Sequence, residues 1–198
     1  PTVTDDALAV MHETGVVGIR FNMIGRDMAA LSAPDTQSLL KRVDALGWQV
    51  EVQARGADLP QVFDSLSIFQ GPLVIDHFGL PDPSRGIGDP GFRALLSEGA
   101  KGRTFVKMSA GYRCGGQDVA SCAGALLAVL GPRRLLWGSD WPFTQHEAGR
   151  TYATMVQDLV RCVPDKAARD VMDQTAMDLF GFTRSRDVLA VPRRMAGA

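Results

Sequence analysis

The sequence has 198 residues, of which 45% are hydrophobic and 22% charged, and its formal net charge is −1. A chain of this length can bury the core of a globular domain, and its near-neutral charge, with no basic run among aromatic residues, argues against a nucleic-acid partner. No apolar stretch approaches the roughly 18 residues that a membrane span requires, so no membrane partner is predicted. Three widely spaced cysteines and the lack of a signal peptide predict free thiols in a cytoplasmic protein.

Short apolar runs rich in β-branched residues alternate with helical patterns. The runs predict five strands buried on both faces, at residues 16–21, 48–52, 73–75, 104–108 and 135–137. Apolar residues with helical spacing predict a helix before the second, the third and the fifth of these strands. These helices lie around residues 39–46, after Pro60 and before Gly131.

Two further helices are predicted after the last strand. One apolar helical face runs from Tyr152 to Val163 and ends at Pro164. Asp165 is predicted to cap the next helix, which ends at Gly181. The final residues, 183–198, show no clear period and are predicted to be a tail.

The alternation of strand and helix predicts an α/β fold in which parallel strands are joined by right-handed crossovers. Each apolar run ends in polar residues, and three runs end in two polar residues that leave the same face of the strand: Arg20 and Asn22, Glu51 and Gln53, Lys107 and Ser109. An inward ring of polar groups is what the catalytic face of a (β/α)8 barrel requires. The glycine-rich first turn of a nucleotide-binding sheet is missing, which favours the barrel.

Four segments carry a resemblance to a known family. They are VIDHFGLPD at 74–82, FVKMSAGYR at 105–113, LLWGSDWP at 135–142 and TAMDLFGF at 175–182. In this order and spacing they resemble the last strands and the closing helix of the amidohydrolase superfamily, in the branch that contains 2-pyrone-4,6-dicarboxylate lactonase. The resemblance implies the C-terminal part of a (β/α)8 TIM barrel of the amidohydrolase type, with about five parallel strands and their helices.

The resemblance also implies a segment that these residues do not contain. The family carries a His-x-His pair on its first strand, whereas the histidines here are His12, His77 and His146. We therefore expect three upstream βα units, at about 30 residues each. On this interpretation residues 1–182 form an incomplete barrel domain and 183–198 a C-terminal tail. The chain alone is then expected to be inactive and to associate as a homo-oligomer or aggregate through its open sheet edges, or else to be part of a longer polypeptide.

Asp140 lies in GSDWP at the end of the last apolar run, where a carboxylate is costly to bury without a partner or a chemical role. By the resemblance, Asp140 is the general base that takes a proton from the attacking water. The alternative is a carboxylate that caps a helix or pairs with a structural arginine. His77 in DHFG is the second catalytic candidate and would polarise the scissile carbonyl, unless a backbone carbonyl satisfies it. The adjacent Asp76 is expected to face the opposite way and to be structural.

The arginines indicate a small anionic carboxylate substrate. By the resemblance, Arg20, Arg26 and Arg113 bind substrate carboxylates, because a planar guanidinium offers a carboxylate two-point contact. The alternative for each arginine taken singly is an exposed surface position. Neutral hydrogen bonds to the same substrate are predicted from Asn22, Gln53 and Tyr112, with Lys107 and Ser109 as supporting residues.

The resemblance predicts that a small carboxylated lactone, similar to 2-pyrone-4,6-dicarboxylate, is opened by general-base activation of water. Most of the superfamily binds zinc or another divalent metal, and this chain supplies at most two such ligands, Asp140 and His77. Even with the His-x-His pair restored, the arginine set resembles that of the lactonase branch, which works without metal, so the resemblance implies hydrolysis without a cofactor. A metal-dependent amidohydrolase or decarboxylase of the same fold and an inactive fragment stay open as alternatives. Phe143 stands where the family has a histidine after WP, and His146 nearby is interpreted as a loop residue, which leaves the identity of the substrate open.

Overall fold

A computed structural model of the chain describes residues 3–116 and 118–182. The predicted tail at 183–198 lies outside the described residues. Five strands form one parallel sheet in the order in which they occur along the chain. They are β1 (Gly18–Asn22), β2 (Gln49–Gln53), β3 (Leu73–Ile75), β4 (Thr104–Ser109) and β5 (Leu135–Gly138). Each strand coincides with one of the five predicted apolar runs, and the α/β prediction is confirmed.

Helices precede, connect and follow the strands. The α-helices in the described residues are α1 (Asp5–Glu13), α2 (Ala29–Ser32), α3 (Pro34–Ala45), α4 (Leu59–Ser65), α5 (Pro90–Ala100), α6 (Ala120–Leu130), α7 (Tyr152–Cys162) and α8 (Lys166–Phe180). Short 3-10 turns lie at Gly56–Asp58, His77–Gly79, Gly86–Gly88, Gly111–Cys114 and Pro132–Arg134. None of the described helices is both long and apolar enough to cross a membrane.

The predicted helices are confirmed as α3, α4, α6, α7 and α8. The predicted cap of α8 is present, because Asp165 Oδ1 accepts a hydrogen bond from the backbone N–H of Ala167 at 3.0 Å. The helix ends at Gly181, whose φ of +68° is a left-handed conformation that glycine adopts without strain. The sequence reasoning did not predict α1, α2 and α5.

The sheet separates an apolar face from a polar one. On the face that packs against the helices, alternate residues such as Val50, Val52 and Val106 are fully buried in the main hydrophobic core. On the other face the register places Arg20 beside Glu51 and Asn22 beside Gln53. The predicted pairs of polar residues at the strand ends therefore do share one face of the sheet, and they sit where the parallel strands end together.

Candidate active site

The carboxyl ends of the strands open onto a cleft of about 490 Å³. Its lining consists of Arg20, Asn22, Ile24, Gln53, His77, Arg113, Asp140, Thr144 and Gln145. Six of these nine residues are predicted site residues, brought together from β1, β2 and the loops after β3, β4 and β5. Ile24, Thr144 and Gln145 were missed, because nothing in their residue types marks them as parts of a site.

Asp140 lies in the loop after β5, two residues beyond the end of the strand at Gly138, and its side chain is 19% exposed. Its Oδ2 accepts hydrogen bonds from the Tyr112 hydroxyl at 2.5 Å and from Arg113 Nε at 2.7 Å. Its Oδ1 lies 3.8 Å from His77 Nε2, which is too far for a direct hydrogen bond. One carboxylate oxygen is therefore held by two donors, while the other faces the imidazole across the cleft.

The surroundings of Asp140 favour its charged form. Burial acts against ionisation, but the hydrogen bonds from Tyr112 and Arg113 outweigh it, so the pKa of Asp140 lies below its ordinary value. Burial and the same hydrogen bond to Asp140 raise the pKa of Tyr112 to about 12. At neutral pH, Asp140 is thus a carboxylate and Tyr112 a neutral hydrogen-bond donor.

His77 is 5% exposed and has a different partner on each ring nitrogen. Nδ1 lies 2.9 Å from Ser109 Oγ, and Nε2 is the nitrogen that faces Asp140. Burial lowers the pKa of His77, although the carboxylates of Asp76 and Asp140 act in the opposite direction. The imidazole is therefore neutral at pH 7 and has one nitrogen directed into the cleft.

Beside the cleft, four charged side chains from neighbouring strands form a cluster of Arg20, Glu51, Asp76 and Lys107. Arg20 Nε lies 2.7 Å from Glu51 Oε1, and Arg20 Nη2 lies 2.7 Å from Asp76 Oδ2. Lys107 Nζ lies 2.5 Å from Glu51 Oε2 and 3.3 Å from Asp76 Oδ1. Buried carboxylates need such partners, and the Asp76 side chain is only 2% exposed. Arg20 thus lines the cleft with a guanidinium that two carboxylates already hold.

The expectation that Asp76 and His77 face opposite ways is wrong. Asp76 contacts Lys107 and His77 contacts Ser109, and these two partners project from the same face of β4. The reason lies in the backbone, because β3 ends at Ile75 and His77 has a φ of +50° at the start of a 3-10 turn. The alternation of a strand does not extend into that turn.

The other predicted binding residues differ in their positions. Gln53 Oε1 accepts a hydrogen bond from Arg20 Nη2 at 2.6 Å, and Asn22 Oδ1 accepts one from the backbone N–H of Ile24 at 3.2 Å. Tyr112 reaches the site through its hydroxyl. Arg26 is exposed and does not line the cleft, so the structure does not bring it together with the other candidates.

Arg150, an arginine that the sequence reasoning missed, packs on the ring of Tyr112. The Arg150 guanidinium carbon lies 4.2 Å from the centroid of the Tyr112 ring, and Arg150 Nη1 donates to the backbone oxygen of His146 at 2.6 Å. His146 lies in the loop after β5, as interpreted from the sequence, with its ring centroid 5.2 Å from that of Tyr112. Arg150 and His146 together fix the phenol whose hydroxyl holds Asp140.

Strained backbone is concentrated around this cleft. In the described residues, left-handed φ values at non-glycine positions occur only in the loops after β3, β4 and β5: at His77, Phe78, Leu80, Ala110, Asp140, Phe143 and Gln145. Such conformations cost on the order of 1–3 kcal/mol each and persist where the surrounding structure enforces them, as at many functional sites. The catalytic candidates His77 and Asp140 both have this conformation.

Within the part of the chain that the structure describes, the cleft supplies too few donors for a metal site. No group of three or more His, Cys, Asp or Glu side chains among residues 3–116 and 118–182 is arranged to hold one. His77 and Asp140 would supply two ligands, and a protein site needs three or four. The second oxygen of Asp140 is taken by the Arg113 cation and the Tyr112 hydroxyl, and a cation at 2.7 Å opposes a divalent ion there.

The fold and the site together define a class: a parallel α/β sheet of the barrel type with an acid and an imidazole at its carboxyl edge. The amidohydrolase family model matches residues 1–182. The chain belongs to the amidohydrolase family, and the resemblance found in its sequence segments is confirmed.

Two relatives with named activities are similar to this chain in sequence. A 2-pyrone-4,6-dicarboxylate hydrolase of Comamonas testosteroni is 27% identical over 155 residues, which are 71% of this chain and 50% of that protein. A 4-sulfomuconolactone hydrolase of Hydrogenophaga intermedia is 28% identical over 148 residues, 72% of this chain and 48% of that protein. The chain thus spans about half the length of these two relatives.

Two solved structures are similar over most of the chain. A protein from Pseudomonas putida, named for 2-pyrone-4,6-dicarboxylic acid hydrolysis, is 38% identical with a TM-score of 0.85, covering 92% of this chain and 70% of its own. One from Acinetobacter baumannii, named for the same reaction and holding bound citric acid, is 34% identical with a TM-score of 0.84, covering 91% and 70%. These similarities confirm the predicted amidohydrolase-type TIM-barrel architecture.

Proposed function

We propose that this chain supplies the catalytic face of a lactone hydrolase, which opens a small carboxylated ring ester with water. The observation that carries the proposal is the pairing of a carboxylate and a neutral imidazole 3.8 Å apart across the cleft. The names of the relatives, which refer to 2-pyrone-4,6-dicarboxylate and 4-sulfomuconolactone, support a lactone as the substrate class.

Asp140 is the general base in this proposal. Its Oδ1 is the oxygen that neither Tyr112 nor Arg113 occupies, so it is the acceptor for a proton of the attacking water. The water oxygen adds to the ester carbonyl carbon as that proton passes to Asp140. The tetrahedral intermediate then collapses with cleavage of the ring C–O bond, and Asp140 returns the proton to the leaving oxygen.

His77 stabilises the oxygen that becomes negative. With the Ser109 hydroxyl donating to Nδ1, the remaining ring proton sits on Nε2 and points into the cleft. A neutral imidazole that donates from Nε2 can hydrogen-bond to the carbonyl oxygen of the substrate and strengthen this bond as charge develops. The lowered pKa of His77 supports this protonation state at neutral pH.

The cleft is proposed to bind a substrate that carries carboxylates. Arg113 and Arg20 line it, and Asn22 and Gln53 add neutral hydrogen-bonding groups. Citric acid bound to the Acinetobacter baumannii protein supports a carboxylate ligand for this part of the family. The proposed reaction uses no cofactor, and the Arg113 cation 2.7 Å from Asp140 Oδ2 supports this, because a cation there opposes binding of a divalent ion by the same oxygen.

The test compares hydrolysis of 2-pyrone-4,6-dicarboxylate by the complete protein that carries this chain and by its Asp140→Asn variant, with and without a chelator. Loss of the base is expected to lower kcat by roughly 10²- to 10⁴-fold, with circular dichroism unchanged. Asp170→Asn, which removes an exposed carboxylate paired with Lys166 on α8, is the matched control and should retain wild-type turnover. Equal turnover in Asp140→Asn would contradict the assignment, and loss of activity with the chelator would contradict the cofactor-free reaction.

A further inference from the structure

A second cavity of about 450 Å³ adjoins the active cleft. Ile24, Gln53 and Arg113 line both, so only these side chains separate the two neighbouring spaces where they meet. The floor of the second cavity is apolar where it is formed by Leu80, Pro81 and Pro83. A ligand that occupies the cleft can therefore extend into this neighbouring space without leaving the protein surface.

The charges of the active cleft cancel. Counted together with the charge cluster beside it, its cations are Arg20, Lys107 and Arg113, and its anions are Glu51, Asp76 and Asp140. Each of these cations lies within 3.3 Å of a carboxylate, and His77 is neutral. The cleft and the cluster beside it therefore offer an anionic substrate no net positive charge. The Asp140 carboxylate in the cleft also repels such a substrate.

Arg55 is the cation that breaks this balance. It lies two residues after Gln53 and lines the second cavity. Its side chain has no hydrogen bond and no ion pair with any described residue, in contrast to the arginines of the cleft. Asp82, which also lines the cavity, interacts instead with Arg85 at 3.9 Å and accepts hydrogen bonds from Ser84.

We propose that Arg55 forms an anion subsite in the cavity next to the active cleft, where it binds a second anionic group of the substrate. The inference rests on the proposed function, since it concerns the same substrate. With the ester group beside Asp140 and His77, the second cavity is the neighbouring space in which a carboxylate or sulfonate on the far side of the ring would lie, because it shares three lining residues with the cleft. An uncommitted guanidinium can bind such a group in two-point contact. Arg55 thereby selects substrates with two anionic groups over those with one.

The test uses two non-hydrolysable probes that differ by one carboxylate, isophthalate and benzoate, titrated into the protein by calorimetry. The wild type is expected to bind isophthalate about tenfold more tightly than benzoate, and Arg55→Met should remove this preference while leaving benzoate binding unchanged. Arg55→Lys keeps the charge without the planar fork and should retain part of the preference. Arg133→Met removes an exposed cation at the opposite end of the sheet, before β5, and should change neither affinity.

The outcomes separate this inference from the proposed function. A preference that persists in Arg55→Met, or a wild type without a preference, would overturn the anion subsite even if the lactone is hydrolysed. An Arg55-dependent preference in a complete protein that hydrolyses neither 2-pyrone-4,6-dicarboxylate nor 4-sulfomuconolactone would support the subsite and overturn the lactonase.

Discussion

The two oxygens of Asp140 have different surroundings, and the roles proposed for them rest on this difference. Oδ2 is fixed by Tyr112 and Arg113, which orient the carboxylate and keep it charged. Oδ1 is directed toward His77 and is the oxygen available to a water molecule. A carboxylate held in this way is a weaker base than a free one but is ionised and oriented at all times near neutral pH.

Removal of the Tyr112 hydroxyl tests this account. In Tyr112→Phe one of the two hydrogen bonds that favour the charged form of Asp140 is lost, so the pKa of Asp140 should rise from its lowered value toward its ordinary one. The carboxyl ¹³C shift of Asp140 followed by NMR against pH measures this change. Because the wild-type pKa is depressed, stability from this group is present above the unfolded pKa and is lost as the pH falls through the folded one. In Tyr112→Phe this contribution should be smaller, because the folded pKa lies closer to the unfolded one, and an unchanged titration would show that the hydroxyl has no such effect.

Lys107 is predicted to be essential to the charge cluster. In Lys107→Met, Glu51 and Asp76 keep Arg20 as their one cation within the cluster, and their side chains are only 11% and 2% exposed. We expect the free energy of unfolding, from urea denaturation, to fall by about 3 kcal/mol. Lys101→Met is the control, because Lys101 also forms a 2.7 Å ion pair but its side chain is 68% exposed, and it should cost less than about 1 kcal/mol. Similar losses in both variants would contradict a special role for the buried cluster.

At the residue scale, the sequence indicates which residues are catalytic candidates better than it indicates which carboxylates the arginines pair with. Asp140 and His77 stand in short motifs, so their positions at strand ends follow from local sequence. The pairing of Arg20 with Asp76, 56 positions away, depends on how three strands are aligned, and apolar periodicity does not determine that register. Arg55 was missed because it belongs to no recognised motif and because only the folded structure shows that its side chain has no partner among the described residues.

At the scale of the elements, the strands were predictable because each is a short apolar run between polar residues. Helix α5 was missed, although Asp89 caps it by accepting from the backbone N–H of Phe92 at 3.0 Å and Pro90 stands at its first position. These two signals are sufficient in principle to start a helix there. The two glycines within α5 weaken the helical pattern, and one of them serves a tertiary contact that only the fold reveals.

That glycine is Gly91, in the first turn of α5. A Cβ added at Gly91 would lie 1.7 Å from the backbone oxygen of Gly56, in the 3-10 turn that directly follows Arg55. Because the opposing atom is backbone and cannot rotate away, Gly91→Ala is expected to lower the free energy of unfolding by about 3 kcal/mol or more. Chemical denaturation measures this effect.

Gly124→Ala provides the control for that prediction. Gly124 lies in α6, is exposed, and has open space where a Cβ would be added. Alanine there should be neutral or stabilise the protein by up to about 1 kcal/mol, through its higher helix propensity. If both alanine variants unfolded at the same denaturant concentration, the close approach of α5 to Gly56 would have no energetic importance.

At the scale of the whole molecule, the described sheet has two edges. β1 pairs with β2 and β5 pairs with β4, and each has no second neighbour among residues 3–116 and 118–182. The backbone groups of Val17 and Met23 bond to β2, so the alternation of a parallel strand leaves the amides of Gly18, Arg20 and Asn22 directed away from it. Such unpaired amides in a row are a template for pairing with another chain.

The 198-residue chain is therefore predicted to self-associate. Sedimentation velocity over a range of micromolar concentrations should show species larger than the monomer whose share grows with concentration, because edge pairing gains both hydrogen bonds and apolar burial. Trp141→Ser distinguishes pairing of the sheet edges from hydrophobic association through an exposed side chain, since Trp141 is 74% exposed but lies on no strand. Association should persist in that variant. A monomer at every concentration would show that the edges are protected, and loss of association in Trp141→Ser would assign it to the tryptophan instead of the sheet.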